Sequence, residues 1–271
     1  MAPLAHLIAA GLALSPAPAA SPAPAGLEDA GAAWTLVFED GFEGETLDPA
    51  VWAIESGAPG HITSSRWPEN VEVRDGLLHL VTRQETRQGS GGQTRGRDDE
   101  ARSWTTGHVW THRTFGDGVF EARLKLAPQA GLNNAFWLFP ERHPASLGLQ
   151  PGETACEIDV IEATHPARMT YNLHVFTAGT QEVARDIYRL TNPWSAPEPN
   201  SARFMVLSIE RDGETLIWRR DGHIVRRAEA PCAGPLTVRL STATASWLDT
   251  PDDALDGTAM QIDYVRVWET E

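Results

Sequence analysis

Three carboxylates stand close together in one short apolar stretch of the sequence, at Glu157, Asp159 and Glu162. Successive side chains of a β-strand point to opposite faces, so Glu157 and Asp159 share one face while the apolar residue between them points into the core. Glu162 would fall on the wrong face unless a β-bulge restores the phase. If Val160 and Ile161 occupy one step of the ladder together, all three acids line one surface. The spacing therefore predicts a bulged strand.

Carboxylates gathered in this way suit one kind of catalysis in particular. Close like charges push pKa values apart, which leaves one carboxyl group ionised as a nucleophile and another protonated as an acid. A retaining glycosidase needs this division of labour. The spacing alone is equally compatible with a solvated outer face or with a calcium site built from carboxylates. The surrounding sequence has to decide between these readings.

The elements that would position the acids are strands. Each of four Asp-Gly pairs is flanked by β-branched or aromatic runs, which is typical of hairpin turns. Short, evenly spaced strands favour a sandwich of antiparallel sheets over a helical fold. Residues 84–103 have no apolar face and are predicted to form a surface loop. The predicted hairpin turns are Asp75-Gly76, Asp117-Gly118, Asp212-Gly213 and Asp221-Gly222.

Composition excludes several classes of function. The 271 residues carry 22 Lys and Arg against 37 Asp and Glu, a net charge of −15, which argues against a nucleic-acid partner. With 41% hydrophobic and 22% charged residues the chain has the composition of a globular protein with a real core. No apolar run approaches the roughly 18 residues that a membrane helix needs, so we expect no membrane span. We expect a monomer.

The N-terminal segment resembles an export signal. Residues 7–14 form an apolar region, and residues 17–19 and 23–25 both read Ala-Pro-Ala, a small-residue pattern that suits cleavage. The alternative is a disordered Ala/Pro tail. We predict a signal peptide over residues 1–25, a linker over 26–33, one catalytic domain over 34–271, and a secreted or periplasmic protein.

The stretch from Glu157 to Glu162 resembles the E-x-D-x-x-E signature of glycoside hydrolase family 16, in the bulged version typical of its laminarinase, agarase and carrageenase branches. Motifs on both sides resemble the family in the expected order across residues 34–268. They are Phe38-Glu39-Asp40-Gly41-Phe42, Asn70-Val71, Thr106-Gly107-His108-Val109, Phe120-Glu121-Ala122-Arg123, Ala135-Phe136-Trp137-Leu138 and Asp263-Tyr264-Val265-Arg266-Val267-Trp268. The resemblance implies an all-β fold, a concanavalin A-like β-jelly-roll sandwich of two antiparallel sheets.

The same resemblance implies roles and a substrate. Glu157 would be the nucleophile, Asp159 its electrostatic helper and Glu162 the general acid/base, with no cofactor required. The substrate would be a β-linked polysaccharide cut internally with retention. We favour β-1,3 or mixed-linkage glucan, because a chain at −15 repels sulfated polyanions. The alternatives are a β-galactan of the agar, porphyran or carrageenan type, a transglycosylase, or a non-catalytic carbohydrate-binding jelly roll.

Aromatic residues are the expected sugar platforms, since ten Trp outnumber eight Phe and three Tyr. A strand tryptophan is more often core than platform, and we assign Trp52, Trp218 and Trp268 to the core. His174 falls on the strand expected beside the acids, where a structural role is the alternative. The candidate sugar contacts are Trp137, Trp104, Trp110, Trp247, His174, Asn133 and Asn134.

Two further features concern crosslinks and metals. Cys156 and Cys232 fit no zinc spacing, and they can be bridged only if their Cα atoms come within about 7 Å. We predict two buried thiols in preference to a disulfide. The family resemblance implies that Asp263 occupies the position of one ligand of a structural calcium, although a lone carboxylate is usually just solvated.

Overall fold

The computed structural model describes residues 22–27, 34–88, 101–165, 168–180, 183–191, 201–232 and 234–270. It is a sandwich of two large antiparallel sheets, which confirms the predicted all-β fold. Within these ranges no helix is long and apolar enough to cross a membrane. In the described part of the chain there are three single-turn 3-10 helices, at Pro68–Asn70, Pro144–Ser146 and Asp253–Leu255.

One sheet, here the back sheet, has the strand order β17-β16-β15-β10-β19-β5-β4, and β1 also pairs with β19. Its strands are β1 (Trp34–Asp40), β4 (Val71–Arg74), β5 (Leu77–Val81), β10 (Gly118–Lys125), β15 (Met205–Asp212), β16 (Thr215–Arg220), β17 (His223–Glu229) and β19 (Ala259–Thr270).

The other sheet, here the site sheet, has the order β14-β13-β12-β11-β18-β9-β2 and contains the predicted acidic strand, β12. Its strands are β2 (Trp52–Ile54), β9 (His108–Thr111), β11 (Asn133–Phe139), β12 (Thr154–His165), β13 (Arg168–Thr177), β14 (Val183–Thr191) and β18 (Thr237–Ala243). Two short pairs flank the sandwich, β3 (Ser65–Arg66) with β8 (Thr105–Thr106) and β6 (Arg87–Gln88) with β7 (Ala101–Arg102).

The core fills the space between the sheets with alternate side chains of each strand. Ile158, Val160 and Leu240 of the site sheet face Leu207, Ile209 and Val265 of the back sheet, and all six are fully buried. The predicted core tryptophans Trp52, Trp218 and Trp268 are buried as well. Trp268, however, packs on the far side of the back sheet, with Val119 and Leu27. The face of the site sheet that points away from this core is called the open face below.

Three of the four predicted hairpin turns are confirmed. Asp75-Gly76 joins β4 to β5, Asp212-Gly213 joins β15 to β16, and Asp221-Gly222 joins β16 to β17. At two of them both central residues have positive φ, 57° and 68° at Asp75-Gly76 and 49° and 77° at Asp221-Gly222. This conformation matches the twist of the strands, and Asp and Gly are the residues that tolerate it.

The hairpin predicted at Asp117-Gly118 is wrong, because this pair leads into β10, whose neighbours are β15 and β19. The Asp117 carboxylate accepts hydrogen bonds from Arg211 Nε at 2.6 Å and from the Gly213 amide at 3.0 Å. Gly118 has a φ of 151°, and a Cβ there would lie 2.0 Å from the carbonyl oxygen of Trp268. The glycine therefore serves a close approach of two strands, not a turn.

The predicted boundary at Trp34 does not describe the N-terminal contacts. Residues 22–27 pack on the far side of the back sheet, where Trp268 Nε1 donates to the Pro22 carbonyl at 2.8 Å. The Ala25 amide donates to Glu121 at 2.9 Å. This segment therefore packs with the domain, whereas the sequence places it in the predicted signal peptide and linker. Residues 1–21 and 28–33, which carry the rest of those two predictions, lie outside the described residues.

The predicted surface loop over residues 84–103 has an ordered base. Arg87–Gln88 pairs with Ala101–Arg102 as a two-stranded ladder. The Arg87 guanidinium lies 4.0 Å from the ring centre of Trp67 and pairs with Glu69 at 3.2 Å. Residues 89–100, including the arginines at the centre of the predicted loop, lie outside the described residues.

The prediction of two free thiols is wrong, because Cys156 and Cys232 form a disulfide with a Cα separation of 5.2 Å. Cys156 points from β12 into the space between the sheets, as strand alternation requires. Cys232 lies in the segment that leaves β17 of the back sheet and leads to β18 of the site sheet. That crossover passes beside β12, as the bond from Thr154 Oγ1 to the Pro231 carbonyl at 2.5 Å shows. The separation in sequence, 76 residues, concealed this adjacency.

Candidate active site

The predicted bulge is present on β12. Phe136 of β11 pairs with Ile161, and the next residue, Trp137, pairs with Asp159, so Val160 is the extra residue. Val160 and Ile161 are both fully buried. The bulge therefore turns both apolar side chains into the core and brings Glu157, Asp159 and Glu162 to the open face, as the sequence predicted.

A histidine of the neighbouring strand β13, His174, lies beside both Glu157 and Asp159. Glu157 pairs in register with His174 of β13, which confirms the predicted position of this histidine beside the acids. His174 Nε2 lies 3.4 Å from Asp159 Oδ2 and 3.8 Å from Glu157 Oε1. These three side chains are also the one group among the described residues whose donor atoms, all within 4.8 Å of one another, would fit around a metal ion.

Both carboxyl groups resist ionisation. Burial, and then the Asp159 charge, raise the pKa of Glu157 to about 8. Burial and the nearby Glu162 carboxylate raise the pKa of Asp159 well above its usual range. The positive charges of His174 and Arg239 act against this shift at Glu157. The site therefore retains a proton that isolated carboxylates would release at neutral pH.

Glu162 is held by two asparagine amides. Asn133 Nδ2 donates to its Oε1 at 2.6 Å, and Asn172 Nδ2 donates to its Oε2 at 2.5 Å. The Oδ1 atoms of both asparagines are buried without a hydrogen-bond partner. Turning either amide by 180° would therefore offer an acceptor to a protonated Glu162, so the pair can serve both protonation states.

The back sheet contacts β12 at the bulge. The indole Nε1 of Trp218, on β16, donates to the carbonyl oxygen of Asp159 at 2.8 Å. Trp218 is fully buried, and the guanidinium of Arg226 lies 4.6 Å from its ring centre. The bulged backbone therefore has a partner across the core at the position where its own ladder is interrupted.

A second charged cluster lies on the same open face, at β9 and the end of β2. Glu55 Oε2 accepts from Arg66 Nη1 at 2.5 Å and from His108 Nδ1 at 2.6 Å. All three residues are buried. Burial alone would raise the Glu55 pKa, but Arg66 and His108 outweigh it and hold that pKa well below its usual range. Burial and Arg66 lower the pKa of His108 to about 3, so the ring is neutral.

Aromatic side chains connect the two clusters. Trp137 pairs in register with Arg239 of β18, and Arg239 pairs with Trp110 of β9, so all three lie on the open face with Asp159. The His108 ring stacks on Trp137 with centroids 5.5 Å apart. Trp137 and Trp110 are partly exposed, as sugar platforms must be. Trp247 is 60% exposed, beyond the end of β18.

Two predicted sugar contacts are corrected. Asn134 points away from the open face, because its Oδ1 accepts the Ala127 amide at 3.0 Å and it is buried. Strand alternation gives this result once Asn133 is directed at Glu162. Trp104 is buried in a small apolar cluster with Leu132 and Leu255. It is therefore part of a satellite core and offers no platform.

The residue predicted as a calcium ligand, Asp263, is paired with an arginine. Asp263 Oδ2 accepts a hydrogen bond from Arg123 Nη1 at 2.6 Å, which neutralises its charge. In the described ranges no further carboxylate or histidine joins Asp263 in a group of ligands.

Sequence reasoning missed Asn172, Glu55, Arg66 and Arg239. Asn172 stands two residues before His174, so alternation on β13 would have placed it on the same face. Arg239 stands between two core residues of β18 and was open to the same argument. Glu55 and Arg66 carry no such signal, because neither lies on a strand next to the acids and their shared partner, His108, is 53 residues from Glu55.

Comparisons with known proteins agree with this arrangement. Residues 63–266, about three quarters of the chain, match the family described as Glycosyl hydrolases family 16. A curated relative, endo-1,3-1,4-beta-glycanase ExoK of Rhizobium meliloti (strain 1021), is 28% identical over 153 residues, which are 55% of this chain. The match spans about half of the relative's own length, 49%.

Two solved structures share the fold. The endo-beta-1,3-glucanase from Pyrococcus furiosus superimposes with a TM-score of 0.72 at 23% identity, covering 89% of this chain and 96% of that one. Porphyranase B from Zobellia galactanivorans gives a TM-score of 0.72 at 19% identity, covering 88% of this chain and 93% of that one. At these identities the two structures establish the jelly-roll fold of the sandwich and nothing finer.

Proposed function

Because the chain belongs to glycosyl hydrolases family 16, we propose that it hydrolyses a β-linked polysaccharide internally and with retention of configuration. One observation carries this proposal. The Val160 bulge brings Glu157, Asp159 and Glu162 to a single open surface, where burial and the neighbouring carboxylates raise the pKa of Glu157 and of Asp159. A carbohydrate-binding protein without catalysis has no need for such a set.

The first half of the reaction uses two of the acids. The reacting form of the site has Glu162 protonated and Glu157 ionised. Glu162 gives its proton to the glycosidic oxygen while a carboxylate oxygen of Glu157 forms a bond to the anomeric carbon. The bond from that carbon to the glycosidic oxygen breaks, and the leaving sugar departs with the proton. Asp159 and His174 lie beside Glu157, and the histidine favours the ionised nucleophile.

The second half regenerates the enzyme. Glu162, now a carboxylate held by Asn133 and Asn172, removes a proton from water. The water oxygen attacks the anomeric carbon and displaces Glu157 as a carboxylate. The product retains its configuration and Glu162 carries a proton again. Each step uses side chains of this chain alone, so the proposal includes no cofactor.

For the substrate we favour a β-glucan with β-1,3 or mixed β-1,3 and β-1,4 linkages. The relative from Rhizobium meliloti is named for 1,3-1,4 linkages and the Pyrococcus furiosus structure for β-1,3-glucan. Porphyranase B among the structural neighbours keeps a β-galactan as the second candidate. Trp137, Trp110 and Trp247 are the proposed platforms for sugar rings, and the proposed enzyme acts as a monomer.

The test is a reducing-sugar assay over laminarin, lichenan, agarose, porphyran and carrageenan, with product sizes and the anomeric configuration read by chromatography and NMR. We expect β-glucan oligosaccharides of the retained configuration, and none from the Glu157→Gln protein. Release from galactans alone would reject the glucan assignment. Inverted product would reject the retaining mechanism. Longer products formed on addition of an acceptor sugar would identify a transglycosylase.

We also propose that the protein is exported, with cleavage after Ala19. The Cys156–Cys232 disulfide suits an oxidising compartment. Cleavage after Ala25 would remove the contacts that Pro22 and Ala25 make with Trp268 and Glu121, whereas cleavage after Ala19 preserves them. The intact mass of protein recovered from the periplasm or medium checks this directly. A mass that begins at Gly26 would contradict the choice of site, and retention in the cytoplasm would contradict export.

A further inference from the structure

Arg239 occupies the middle of the open face. It lies in one row across four strands, in register with Trp137, which is in register with Asp159, and on its other side with Trp110. Residues opposite one another on antiparallel strands direct their side chains to the same face. The guanidinium is therefore on the surface that carries the proposed nucleophile.

The protein holds this guanidinium in place with neutral groups. Its Nε donates to Thr237 Oγ1 and its Nη2 to the Pro140 carbonyl, both at 3.0 Å. The ring centres of Phe139, Trp137 and Trp110 lie 4.8, 5.1 and 5.6 Å from its central carbon. No described residue accepts a hydrogen bond from Nη1, and the side chain remains partly open to solvent.

Arg239 differs in this respect from the arginines that the fold buries. Among the described residues, each of the five buried arginines has a carboxylate within 4.0 Å, whereas none of the described carboxylates comes that close to the partly exposed Arg239. The five pairs are Arg66 with Glu55, Arg211 with Asp117, Arg219 with Glu210, Arg220 with Asp221, and Arg226 with Asp186.

The neighbouring acids do not fill this gap. Glu55 attracts Arg239 from a distance but is already bonded to Arg66 and His108. Glu157 also attracts it, but retains a proton at neutral pH in the free protein. Burial lowers the pKa of Arg239 to about 10, so it remains charged at neutral pH and lacks a counterion.

We infer that Arg239 forms a subsite for an anionic substituent of the polysaccharide, a carboxylate or a sulfate ester, on a sugar bound beside Glu157. A guanidinium with a free edge and aromatic groups around it is suited to an oxyanion on a sugar ring, since it donates in a plane and is weakly hydrated. The inference rests on the proposed function and makes it more specific: a β-glycan backbone that carries acidic groups.

The test compares one glucan in three forms: unmodified barley mixed-linkage glucan, the same polymer oxidised at C6 to a carboxylate, and the same polymer partly sulfated. The variants are Arg239→Met, which removes the charge, and Arg239→Lys, which keeps it. Arg266→Met is the matched control. Arg266 also stacks on an aromatic ring, Tyr264 at 4.1 Å, but it pairs with Glu39 at 2.7 Å on the back sheet.

We expect Arg239→Met to reduce the ratio of kcat/KM on an acidic glucan to kcat/KM on the neutral glucan by about tenfold, mainly through KM. Arg239→Lys should retain part of that ratio, and Arg266→Met all of it. The ratio should decline with added salt in the wild type and not in Arg239→Met. The acidic form that shows the larger change identifies the substituent as carboxylate or sulfate.

An equal loss on neutral and acidic glucans in Arg239→Met would overturn the inference, because Arg239 would then act on Glu157 or on sugar hydroxyls. A second arm does not depend on turnover. In the Glu157→Gln background, calorimetry should give tighter binding of acidic than of neutral oligosaccharides, and Arg239→Met should abolish the difference. Failure of the wild type to cut any β-glycan would reject the proposed function, while the binding arm alone would still decide the inference.

Discussion

Glu55 and Glu157 are carboxylates on the same open face of the same sheet, and their surroundings have opposite effects. Arg66 and His108 both donate to Glu55, and its pKa lies well below the usual range. Glu157 has a second carboxyl group beside it, its nearest basic side chain among the described residues is His174, with Nε2 at 3.8 Å, and its pKa rises to about 8.

This difference indicates that the charge of Glu55 serves stability, whereas the charge of Glu157 serves the proposed reaction. Glu55 is neutralised inside the protein and stabilises the native state as an ion. Glu157 is left without full compensation, so the folded protein is under strain whenever it ionises. A substrate that develops positive charge at the anomeric carbon would supply the missing compensation in the transition state.

The largest expected effect is on turnover at the uncompensated site. Glu157→Ala and Glu162→Ala should each lower kcat by about a thousandfold or more, since one removes the proposed nucleophile and the other the proposed proton donor. Circular dichroism should show both variants folded. Near wild-type rates in either purified variant would remove that residue from the mechanism.

Glu55→Gln should have the largest effect on stability. It leaves the Arg66 guanidinium buried beside a neutral amide, and breaking a buried pair in this way costs about 3–5 kcal/mol. Urea denaturation at pH 7 measures the loss. If Glu55→Gln had the same urea midpoint as the wild type, the Glu55 charge would contribute nothing to stability. Glu55 and Glu157 would then not differ in the way described above.

The corresponding substitution Glu157→Gln should increase the free energy of unfolding. The folded pKa of Glu157 lies above its unfolded value, so its stabilising contribution is complete below pH 4.5 and is lost as the pH rises through about 8. Glu157→Gln should therefore match the wild type near pH 4 and exceed it at pH 9, by up to about 4–5 kcal/mol. Denaturation curves at both pH values decide, and a difference that shrinks towards pH 9 contradicts the assigned shift.

The smallest effect concerns two adjacent asparagines. Asn133→Ala should lower kcat about tenfold by removing one donor to Glu162, whereas Asn134→Ala should mainly lower stability, since Asn134 bonds the Ala127 amide. On an aryl glycoside with a good leaving group, which needs little protonation, the kcat loss in Asn133→Ala should shrink. A loss of the same size on both substrates would separate Asn133 from the acid/base role.

Local patterns predicted much of this molecule. The alternation of strand residues, together with the phase error at Glu162, was sufficient to predict the bulge, and Asp-Gly pairs predicted three hairpins. The same alternation is sufficient to place Asn172 and Arg239 on the open face, although the sequence analysis did not identify either residue. Asp117-Gly118 failed because the same dipeptide also suits an ion pair and a close approach of strands.

What the sequence could not give is pairing between distant segments. Glu55 follows β2, Arg66 lies on β3 and His108 lies on β9. The pairing of β2 with β9 brings Glu55 to His108. The prediction of two thiols was wrong for the same reason. Nothing in the sequence of the crossover from β17 to β18 indicates that it passes beside β12. Trp104 and Asn134 were assigned from composition and position, which do not tell which way a side chain points.

The disulfide has a topological consequence for the site. Cys156 immediately precedes Glu157, the proposed nucleophile, and the bond to Cys232 closes the intervening chain into a covalent ring. That ring contains Glu157, Asp159, Glu162, Asn172, His174 and Trp218, while Glu55, His108, Asn133 and Arg239 lie outside it. A single backbone cut within the ring opens it without releasing a fragment. A nicked protein would thus keep its acids attached until a reductant divided it in two.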